Sequence, residues 1–453
     1  MFYYNKFKIY LFTGLCAVPV AGNAIASPAA GKPNVILILA DDMAKGDISC
    51  YNGGLSSTPN IDILLEKGVV FNNAYSSAPV SAPARASLLT GMYPHSTGCV
   101  TLNLERYPRL TRISEGIPTM ADLFRANGYV TGLVGKWHCG IGKGHRPIDR
   151  GFDVFEGYHG FDLQSYNDYY INEQEKRHRV KGKYLTEDLS GRAVEFVRKH
   201  KDESFFLHLA HSAPHVPLGA PEKVVRKYMT KGLDRNVATI YAMIEIMDEG
   251  IGLLMKELEK LGVLDNTIVI FSSDNGPDPS FQRFNLDWTG TKYTVNEGGI
   301  RVPFVVLQNG KPHMEVDDMI HFTDVLPTLV EMCGLDDSII KQYDGRSFAQ
   351  LMSEGNVAEF EEVPLFWQWN RGVPFYTHNA AVRLGKWKLM FPYNTNKLVF
   401  DESGRSPELF DMENDSRETV DVSAQHKDVY DYLRVLFEEW RRKVEYERLS
   451  NAQ

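Results

Sequence analysis

Val35-Ile36-Leu37-Ile38-Leu39 is a continuous apolar run that leads into Ala40-Asp41-Asp42. An unbroken run of this length indicates a parallel β-strand that is covered on both faces. Similar runs recur later in the chain, at residues 130–134, 205–209, 267–271 and 302–307. The sequence therefore predicts several buried parallel strands, each followed by a polar loop.

Helical patterns separate these runs. Residues 237–261 carry an apolar stripe at helical spacing, and residues 118–126 and 323–333 predict two further helices, with Pro118 in the first turn. Strands that alternate with helices are typical of a doubly wound α/β fold. We therefore predict a large, mixed but mostly parallel sheet that is sandwiched by helices.

The pattern changes after about residue 350. Short strand-like segments occur at 380–383 and 387–390, and an amphipathic helix is predicted at 428–449. These elements predict a smaller C-terminal α+β subdomain with an antiparallel sheet and a helix. The expected organisation is a signal peptide at 1–26, a catalytic α/β domain at 32–355 and the smaller subdomain at 356–453.

The N-terminus has the plan of a secretory signal peptide. Lys6 and Lys8 precede an apolar stretch, and Ala24-Ile25-Ala26 matches a cleavage site. The stretch is shorter than the roughly 20 residues that span a bilayer, so we expect a periplasmic or secreted protein with no membrane span after cleavage. Export permits disulfides, but the sequence leaves the pairing of the remaining cysteines open: Cys50, Cys99, Cys139 and Cys333.

Charge excludes one class of partner. The formal net charge is −9, and removal of residues 1–26, with two lysines and no acid, lowers it to −11. A general nucleic-acid binder would be basic, so we expect no nucleic-acid partner. An anionic substrate would require a local cluster of positive charge.

Polar side chains follow four of the predicted strands. In open α/β sheets, ligands bind beyond the carboxyl ends of the strands, so these residues are expected to meet at one edge. Oxygen ligands from two such loops suit Ca²⁺ or Mg²⁺ better than Zn²⁺. The candidates are Asp41, Asp42, Lys136, His138, His211, His215, Asp274 and Asn275.

Ser81-Ala82-Pro83-Ala84-Arg85 precedes Ala86-Ser87-Leu88-Leu89-Thr90-Gly91. Ser81 fits a helix N-cap, Pro83 fits the first turn and Gly91 fits the C-terminal stop. A helix N-terminus is also an anion site, and Arg85 adds a guanidinium one turn later. Either role for Ser81, as a cap or in an anion site, is open from this segment alone.

The segment resembles the sulfatase signature, in which Ser or Cys is followed by x-Pro-x-Arg. Further segments follow in the order of that family, and the resemblance runs from about residue 33 to 425. They include Gly135-Lys136-Trp137-His138, Ala213-Pro214-His215, Ser273-Asp274-Asn275-Gly276, Gly290-Thr291-Lys292 and Glu297-Gly298-Gly299-Ile300-Arg301. The Ser form and the signal peptide are similar to those of bacterial carbohydrate sulfatases of the alkaline phosphatase superfamily.

The resemblance implies a mechanism. A sulfatase-maturing enzyme would convert Ser81 to formylglycine (3-oxoalanine), whose hydrate is the nucleophile. One divalent cation, Ca²⁺, would be bound by Asp41, Asp42, Ser81, Asp274 and Asn275. Arg85 and Lys136 would hold the nucleophile, His215 and Lys292 would grip the sulfate, one of those two would protonate the leaving oxygen, and His138 would deprotonate the second hydroxyl.

The implied reaction is hydrolysis of a sulfate ester on a sulfated carbohydrate. Two alternatives stay open: a phosphate mono- or diester hydrolase of the same superfamily, with unmodified Ser81 attacking phosphorus, and a non-catalytic binder of sulfated glycans. Some side chains lie in segments that could reach a substrate, whereas Trp367 and Trp369 fit a core better than a sugar platform. The former are Tyr158, His159, Arg283 and Arg371.

Overall fold

Two β-sheets and their covering helices make up the computed structural model, which describes residues 31–102, 105–160, 163–354, 360–392 and 406–451. The strands are β1 Asn34–Ala40, β2 Val69–Tyr75, β3 Val130–Lys136, β4 Val154–Tyr158, β5 Asp168–Glu173, β6 Lys176–Lys181, β7 Phe205–Ala210, β8 Thr267–Ser273, β9 Phe304–Gln308, β10 Met314–His321, β11 Leu365–Gln368, β12 Ala380–Leu384, β13 Trp387–Phe391 and β14 Glu408–Asp411. The helices are α1 Pro59–Lys67, α2 Ser81–Thr90, α3 Pro94–Thr97, α4 Met120–Ala126, α5 Leu185–His200, α6 Glu222–Met229, α7 Arg235–Lys260, α8 Glu297–Ile300, α9 Phe322–Cys333, α10 Leu351–Glu354 and α11 Lys427–Asn451.

The large sheet has the strand order β10-β2-β9-β8-β1-β7-β3-β4-β5-β6. At its centre β1 pairs in parallel with β7 and β8, and β3 pairs in parallel with β7 and β4. Strands β9, β5 and β6 run antiparallel to their neighbours. The prediction of a large, mixed but mostly parallel sheet is confirmed.

Strand β1 explains why the sheet is covered on both faces. All seven of its residues are buried. Alternate side chains of a strand point to opposite faces, so Leu37 and Leu39 join one apolar core while Ile36 and Ile38 join the other. Helices α2, α4 and α9 contribute to the first core, and α1, α5 and α7 contribute to the second.

The small sheet has the order β11-β12-β13-β14 and is entirely antiparallel. The apolar stripe of α11, which includes Leu433 and Phe437, shares a core with Val382 and Leu389 of this sheet. The predicted α+β character of the C-terminal region is confirmed. The described residues from Lys32 onward pack as one compact unit, and the boundary between 355 and 356 lies outside the described residues, so it stays a prediction.

A buried group of charges joins the two sheets. Lys388 of β13 lies 2.9 Å from Glu297 and 2.6 Å from Glu418, while Arg383 of β12 lies 3.4 Å from Glu297. The hydroxyl of Tyr75, at the end of β2, donates to Glu297 at 2.8 Å. We call these five residues the inter-sheet cluster.

Two elements begin later than the sequence predicts. Helix α4 begins at Met120 rather than Pro118, because Thr119 is the N-cap and exchanges hydrogen bonds with Asp122. Strand β9 begins at Phe304 rather than at residue 302, since Pro303 has no N–H to donate to a ladder.

Nothing in the described parts of the chain is a helix long and apolar enough to span a membrane. The predicted signal peptide lies outside the described residues. The four cysteines that the sequence left open are free thiols, of which Cys50 is exposed and the others are buried.

Candidate active site

The carboxyl ends of β1, β3, β7 and β8 meet at one edge of the large sheet because these strands are parallel. The backbone N–H of Asp41 donates to Ala213 O, and that of Asp274 donates to Ala40 O, both at 3.1 Å. These bonds tie together the loops that follow β1, β7 and β8. Five of the predicted site residues are consequently almost fully buried side by side: Asp41, Asp42, Lys136, Asp274 and Asn275.

Ser81 is the first residue of α2, and its side chain does not cap the helix. Its Oγ donates to Asp41 Oδ1 at 3.1 Å and to Asn275 Oδ1 at 3.5 Å. It accepts from Lys136 Nζ at 3.3 Å. The possibility of an N-cap is therefore wrong, since the N-cap position is Val80. The predicted stop at Gly91 is confirmed, because this residue has the left-handed conformation with φ of 68°.

Arg85 lies one turn further along α2 and is fully buried. Its Nε and Nη2 donate to Asp274 Oδ2 at 3.0 and 2.8 Å, and Nη2 lies 3.7 Å from Asp41 Oδ1. Burial alone would lower the pKa of Arg85, but the charges of Asp274 and Asp41 outweigh burial and raise it. Its Nη1 is buried without a hydrogen-bond partner among the described residues. The guanidinium therefore stays charged and keeps one donor for a further ligand.

Lys136 ends β3 and pairs with Asp41, with Nζ 2.5 Å from Oδ2. Burial would raise the pKa of Asp41, but Lys136, His215 and Arg85 hold it well below its usual range. The pKa of Lys136 is lowered by its burial and by the charges of Arg85 and Lys292. Lys136 therefore lies between the carboxylate of Asp41 and the cations Arg85 and Lys292.

The residue before Lys136 must be a glycine, Gly135. It has φ of 111°, and a Cβ at this position would lie 1.9 Å from the carbonyl oxygen of Ala210 in β7. Only glycine fits where β3 approaches β7 this closely at the site edge.

Asp42 is the meeting point of a second group. Lys292 Nζ lies 2.6 Å from Asp42 Oδ2, His215 Nε2 lies 3.7 Å from the same oxygen, and Asn275 Nδ2 donates to Asp42 Oδ1 at 2.7 Å. Burial lowers the pKa of Lys292, but the carboxylate of Asp42 outweighs it and the pKa is raised. His215 is 25% exposed, so this side of the site is open to solvent.

His138 and His211 are both buried histidines at the same edge. His138 has φ of 57°, and its Nδ1 is buried without a partner in the described part of the protein. Burial and the charges of Lys136 and Arg85 hold the pKa of His138 well below its usual value. His211 has no described partner on either ring nitrogen, and burial lowers its pKa to about 3. The structure therefore gives His211 no bond to the other site residues.

Sequence reasoning missed the role of Arg283. Its Nε and Nη2 lie 2.7 and 2.9 Å from the two carboxylate oxygens of Asp47, and Nη2 also donates to the backbone oxygen of Asp42 at 3.0 Å. Arg283 therefore supports the loop of Asp42 and is not available to a substrate. An arginine and an aspartate so far apart in sequence carry no local signal of pairing.

The other aromatic and basic candidates differ in their burial and in their bonds. Trp367 and Trp369 are buried, which confirms that they belong to the core. The hydroxyl of Tyr158 is hydrogen-bonded to Ser212, and His159 accepts from the backbone N–H of His138 at 3.0 Å. Arg371 is partly buried, and its guanidinium carbon lies 5.5 Å from the ring centroid of Tyr293, next to Lys292.

The carboxyl edge of this α/β sheet thus brings buried acids, cations and a hydroxyl together where enzymes of this architecture bind their ligands. The sequence profile of the sulfatase family matches residues 33–335, and the chain belongs to that family. It is accordingly a sulfuric ester hydrolase.

Similar proteins agree with this assignment. The chain is 29% identical to the N-acetylgalactosamine-6-O-sulfatase of Bacteroides thetaiotaomicron over 90% of this chain and 93% of that protein. It is 30% identical to human N-acetylgalactosamine-6-sulfatase over 74% and 68% of the two chains. The solved structure of Ps i-CgsB in complex with k-i-k-neocarrahexaose superposes with a TM-score of 0.79 at 28% identity, covering 90% of this chain and 93% of that one.

Proposed function

We propose that the protein removes sulfate from a sulfated carbohydrate, with Ser81 converted to formylglycine and one divalent cation, Ca²⁺, at the site. The observation that carries the proposal is the position of Ser81 Oγ. It lies between the carboxylate of Asp41 and the amide oxygen of Asn275, on two strand-end loops, and the amine of Lys136, within 3.5 Å of each. This position supports a chemical role for the hydroxyl, because its side chain makes no capping bond.

The donor set fits a hard cation. The carboxylates of Asp41, Asp42 and Asp274 and the amide oxygen of Asn275 are the oxygen ligands that Ca²⁺ prefers. Ligand atoms of Asp41, Asp42 and His215 lie within 4.8 Å of one another, so these side chains already surround a common point. A cation bound there supplies Lewis-acid polarisation of a sulfate oxygen.

Modification of Ser81 would supply the remaining chemistry, because the hydrate of formylglycine carries a second hydroxyl through which sulfate can leave without attack of water on sulfur. A sulfatase-maturing enzyme is the partner that this requires. Arg85 and Lys136 are placed to stabilise negative charge at residue 81. Such pre-oriented cations in a buried site act strongly because little water screens them.

His138 and His215 are the candidate proton carriers. The lowered pKa of His138 keeps its ring neutral, so it can accept a proton from residue 81. Lys292 has a raised pKa and stays charged, which suits a group that holds the sulfate. His215 is partly exposed beside Asp42 and is therefore better placed than Lys292 to donate a proton to the leaving oxygen.

The substrate class is argued from the relatives and from the open side of the site. Two relatives are named for the 6-sulfate of N-acetylgalactosamine, and the solved neighbour holds a carbohydrate. Arg371 and Tyr293 lie beside Lys292 and would contact the sugar next to the sulfate. We infer that the substrate is a sulfated sugar within a glycan.

The test is a panel of defined sulfated mono- and disaccharides, each paired with its phosphorylated counterpart, with released sulfate and phosphate measured. We expect sulfate release from at least one sugar and a far smaller rate with every phosphate ester. Faster phosphate release by protein with unmodified Ser81 would favour the phosphate ester hydrolase. Sugar binding without any release would favour the non-catalytic binder.

We also propose that the protein is exported to the periplasm or beyond the cell, since Lys6, Lys8 and Ala24-Ile25-Ala26 form a signal-peptide pattern. The N-terminal sequence of protein recovered from the periplasm or medium tests this. We expect it to begin at Ser27, and recovery of the full-length chain in the cytoplasm would contradict export.

A further inference from the structure

Strand β6 is the exposed outer edge of the large sheet and carries an unusual concentration of positive charge. Its sequence is Lys176-Arg177-His178-Arg179-Val180-Lys181, and five of its six residues are exposed. The chain as a whole has a formal net charge of −9. A strongly basic strand on an acidic protein therefore stands out from its surroundings.

The cations are sorted onto one face by the strand geometry. In the antiparallel ladder, Arg179 lies opposite Tyr170 and Lys181 lies opposite Asp168. Side chains two residues apart share a face, so Arg177, Arg179 and Lys181 stand together with Tyr170. We call these four residues the basic face. The other face of the hairpin is apolar where Tyr169 and Ile171 join the core.

The aromatic ring of the basic face is exposed among the guanidinium groups. Tyr170 is 45% exposed. The guanidinium carbon of Arg177 lies 4.5 Å from the ring centroid, and that of Arg179 lies 6.0 Å from it. An exposed aromatic ring beside cations offers both stacking area for a sugar and charge for its anionic groups.

Acidic residues lie beside the basic face and next to the hairpin turn. Among the described residues, Asp168 is the one acid on the same side of the hairpin as the basic face, where it binds Arg179 at 2.5 Å and lies 3.9 Å from Lys181. The glutamates that flank the hairpin turn are engaged from elsewhere. Arg192 binds Glu173 at 2.8 Å, and Arg146 binds Glu175 at 2.5 Å.

The Lys181 end of the basic face lies on the same edge of the sheet as the active site, and the chain after it is linked to the site loop through Tyr166. Strand β6 runs parallel to β4 and β3, so its carboxyl end lies at the site edge, roughly 14 Å from β3 at three strand spacings. The backbone of Leu185, just after the strand, donates to Tyr166 O at 2.7 Å. The Tyr166 hydroxyl in turn donates to the backbone oxygens of Ser212 and His215 at 2.7 and 2.9 Å.

We propose that the basic face binds the anionic chain of a polymeric sulfated glycan and holds it beside the active site. The proposal rests on the proposed function, because it assigns a second contact to the same substrate. It predicts that polymers are processed better than small sulfate esters. The basic face touches no reacting group, so its loss leaves the chemistry at Ser81 intact.

The experiment compares the full, matured enzyme with Arg177→Gln/Lys181→Gln, which spares the ion pair of Arg179 with Asp168. The matched control is Lys199→Gln/Lys256→Gln, which removes two exposed lysines near the C-terminal ends of α5 and α7. These helix ends lie at the amino ends of the parallel strands, away from the active site. Binding to heparin, as a polysulfated probe chain, is measured at several salt concentrations. Turnover is measured on a small aryl sulfate and on a sulfated polysaccharide from which the wild type releases sulfate.

We expect the Arg177→Gln/Lys181→Gln variant to bind heparin about tenfold more weakly, as the loss of two exposed ion pairs implies. Its KM for the polymer should rise by a similar factor, with turnover of the aryl sulfate within twofold of wild type. Equal binding by variant and wild type, or an equal loss in the control, would overturn the proposal. Self-association of the variant with unchanged KM would also overturn it and show that the charges only protect an edge strand. Absence of wild-type turnover on every ester would refute the proposed function, while heparin binding would still test the basic face.

Discussion

Two groups of buried charge in this protein look alike but differ in use. The site cluster consists of Asp41, Asp42, Asp274, Arg85, Lys136 and Lys292, and the inter-sheet cluster consists of Tyr75, Glu297, Arg383, Lys388 and Glu418. Both are almost fully buried. The closest ion pairs are also alike, at 2.5 Å for Lys136 with Asp41 and 2.6 Å for Lys388 with Glu418.

The difference lies in what the charges face. In the inter-sheet cluster both oxygens of Glu297 have partners, in Lys388 and Tyr75, and these charges join the two sheets. In the site cluster Asp41 and Lys136 contact the Ser81 hydroxyl, Arg85 Nη1 has no partner among the described residues, and the partly exposed His215 opens one side. Buried ion pairs alone therefore do not mark an active site. The features that distinguish the site cluster are contact with a hydroxyl, a spare donor and access from solvent.

The sharpest test of this contrast is Ser81→Ala. Loss of the nucleophile should reduce turnover about 10⁴-fold or more, as in other enzymes that lose the attacking group. The free energy of unfolding should change by less than about 1 kcal/mol, because the Ser81 side chain caps no helix. Sulfate release and urea unfolding are the measurements. Ser87→Ala, six residues further along the same buried helix, is the control and should keep its turnover, whereas an active Ser81→Ala enzyme would contradict the assignment.

Glu297→Gln should show the opposite pattern. It removes the carboxylate that Lys388 and Arg383 face, and breaking a buried ion pair from one side costs about 3 kcal/mol of unfolding free energy. Turnover per folded molecule should stay within a few-fold of wild type, measured on protein that urea titration shows to be native. The exposed Glu66→Gln is the control and should change stability by less than about 0.5 kcal/mol. A stable Glu297→Gln protein with no turnover would show that the inter-sheet cluster, like the site cluster, is needed for turnover and not for stability.

The inter-sheet cluster also predicts a pH dependence. Burial would raise the pKa of Glu297, but Lys388, Arg383 and Arg301 outweigh it and hold the pKa well below 4.5. Because the pKa of Glu297 is lower in the folded protein than in the unfolded chain, its carboxylate stabilises the fold above pH 4.5. This stabilisation is lost as the pH falls below 4.5. Wild-type unfolding free energy should drop by up to about 1.4 kcal/mol per pH unit more steeply than that of Glu297→Gln in this range. Parallel curves from acid urea titrations would show that Glu297 is not the charged partner.

The smallest effect is expected from Arg283→Lys, which acts on the site cluster from outside. Lysine keeps the charge but loses the two parallel bonds to Asp47 and the bond to the Asp42 backbone. We expect the Ca²⁺ concentration for half-maximal activity to rise about tenfold, as for other supports of metal ligands. The exposed Arg235→Lys should leave it unchanged. An unaltered Ca²⁺ requirement in Arg283→Lys would mean that the loop of Asp42 needs no such support.

Most of the site edge could be predicted from the sequence because its residues follow buried strands directly. Asp41, Lys136 and Asp274 are fixed to one edge as soon as β1, β3 and β8 are recognised as parallel. The role of Ser81 in isolation was undecided, since a helix start and an anion site have the same local pattern. Only the position of its hydroxyl relative to the loops after β1 and β8 decides between them.

Contacts between distant segments could not be predicted. Arg283 binds Asp47 across more than two hundred residues, and Lys388 of the small sheet binds Glu297 beside the large one. Neither pair has a periodic or local signal, because each depends on how loops fold over the sheet. The basic residues of β6 were visible in the sequence, but their shared face with Tyr170 follows only from the register of the hairpin.

Conversion of Ser81 to formylglycine can be read from the mass of the peptide that contains residue 81. The peptide should come from active protein made in a host with a sulfatase-maturing enzyme, and from protein made without one. We expect the first peptide to have lost two hydrogens relative to serine, and the modified fraction to track sulfate release across preparations. A fully active preparation in which residue 81 is entirely unmodified serine would contradict it.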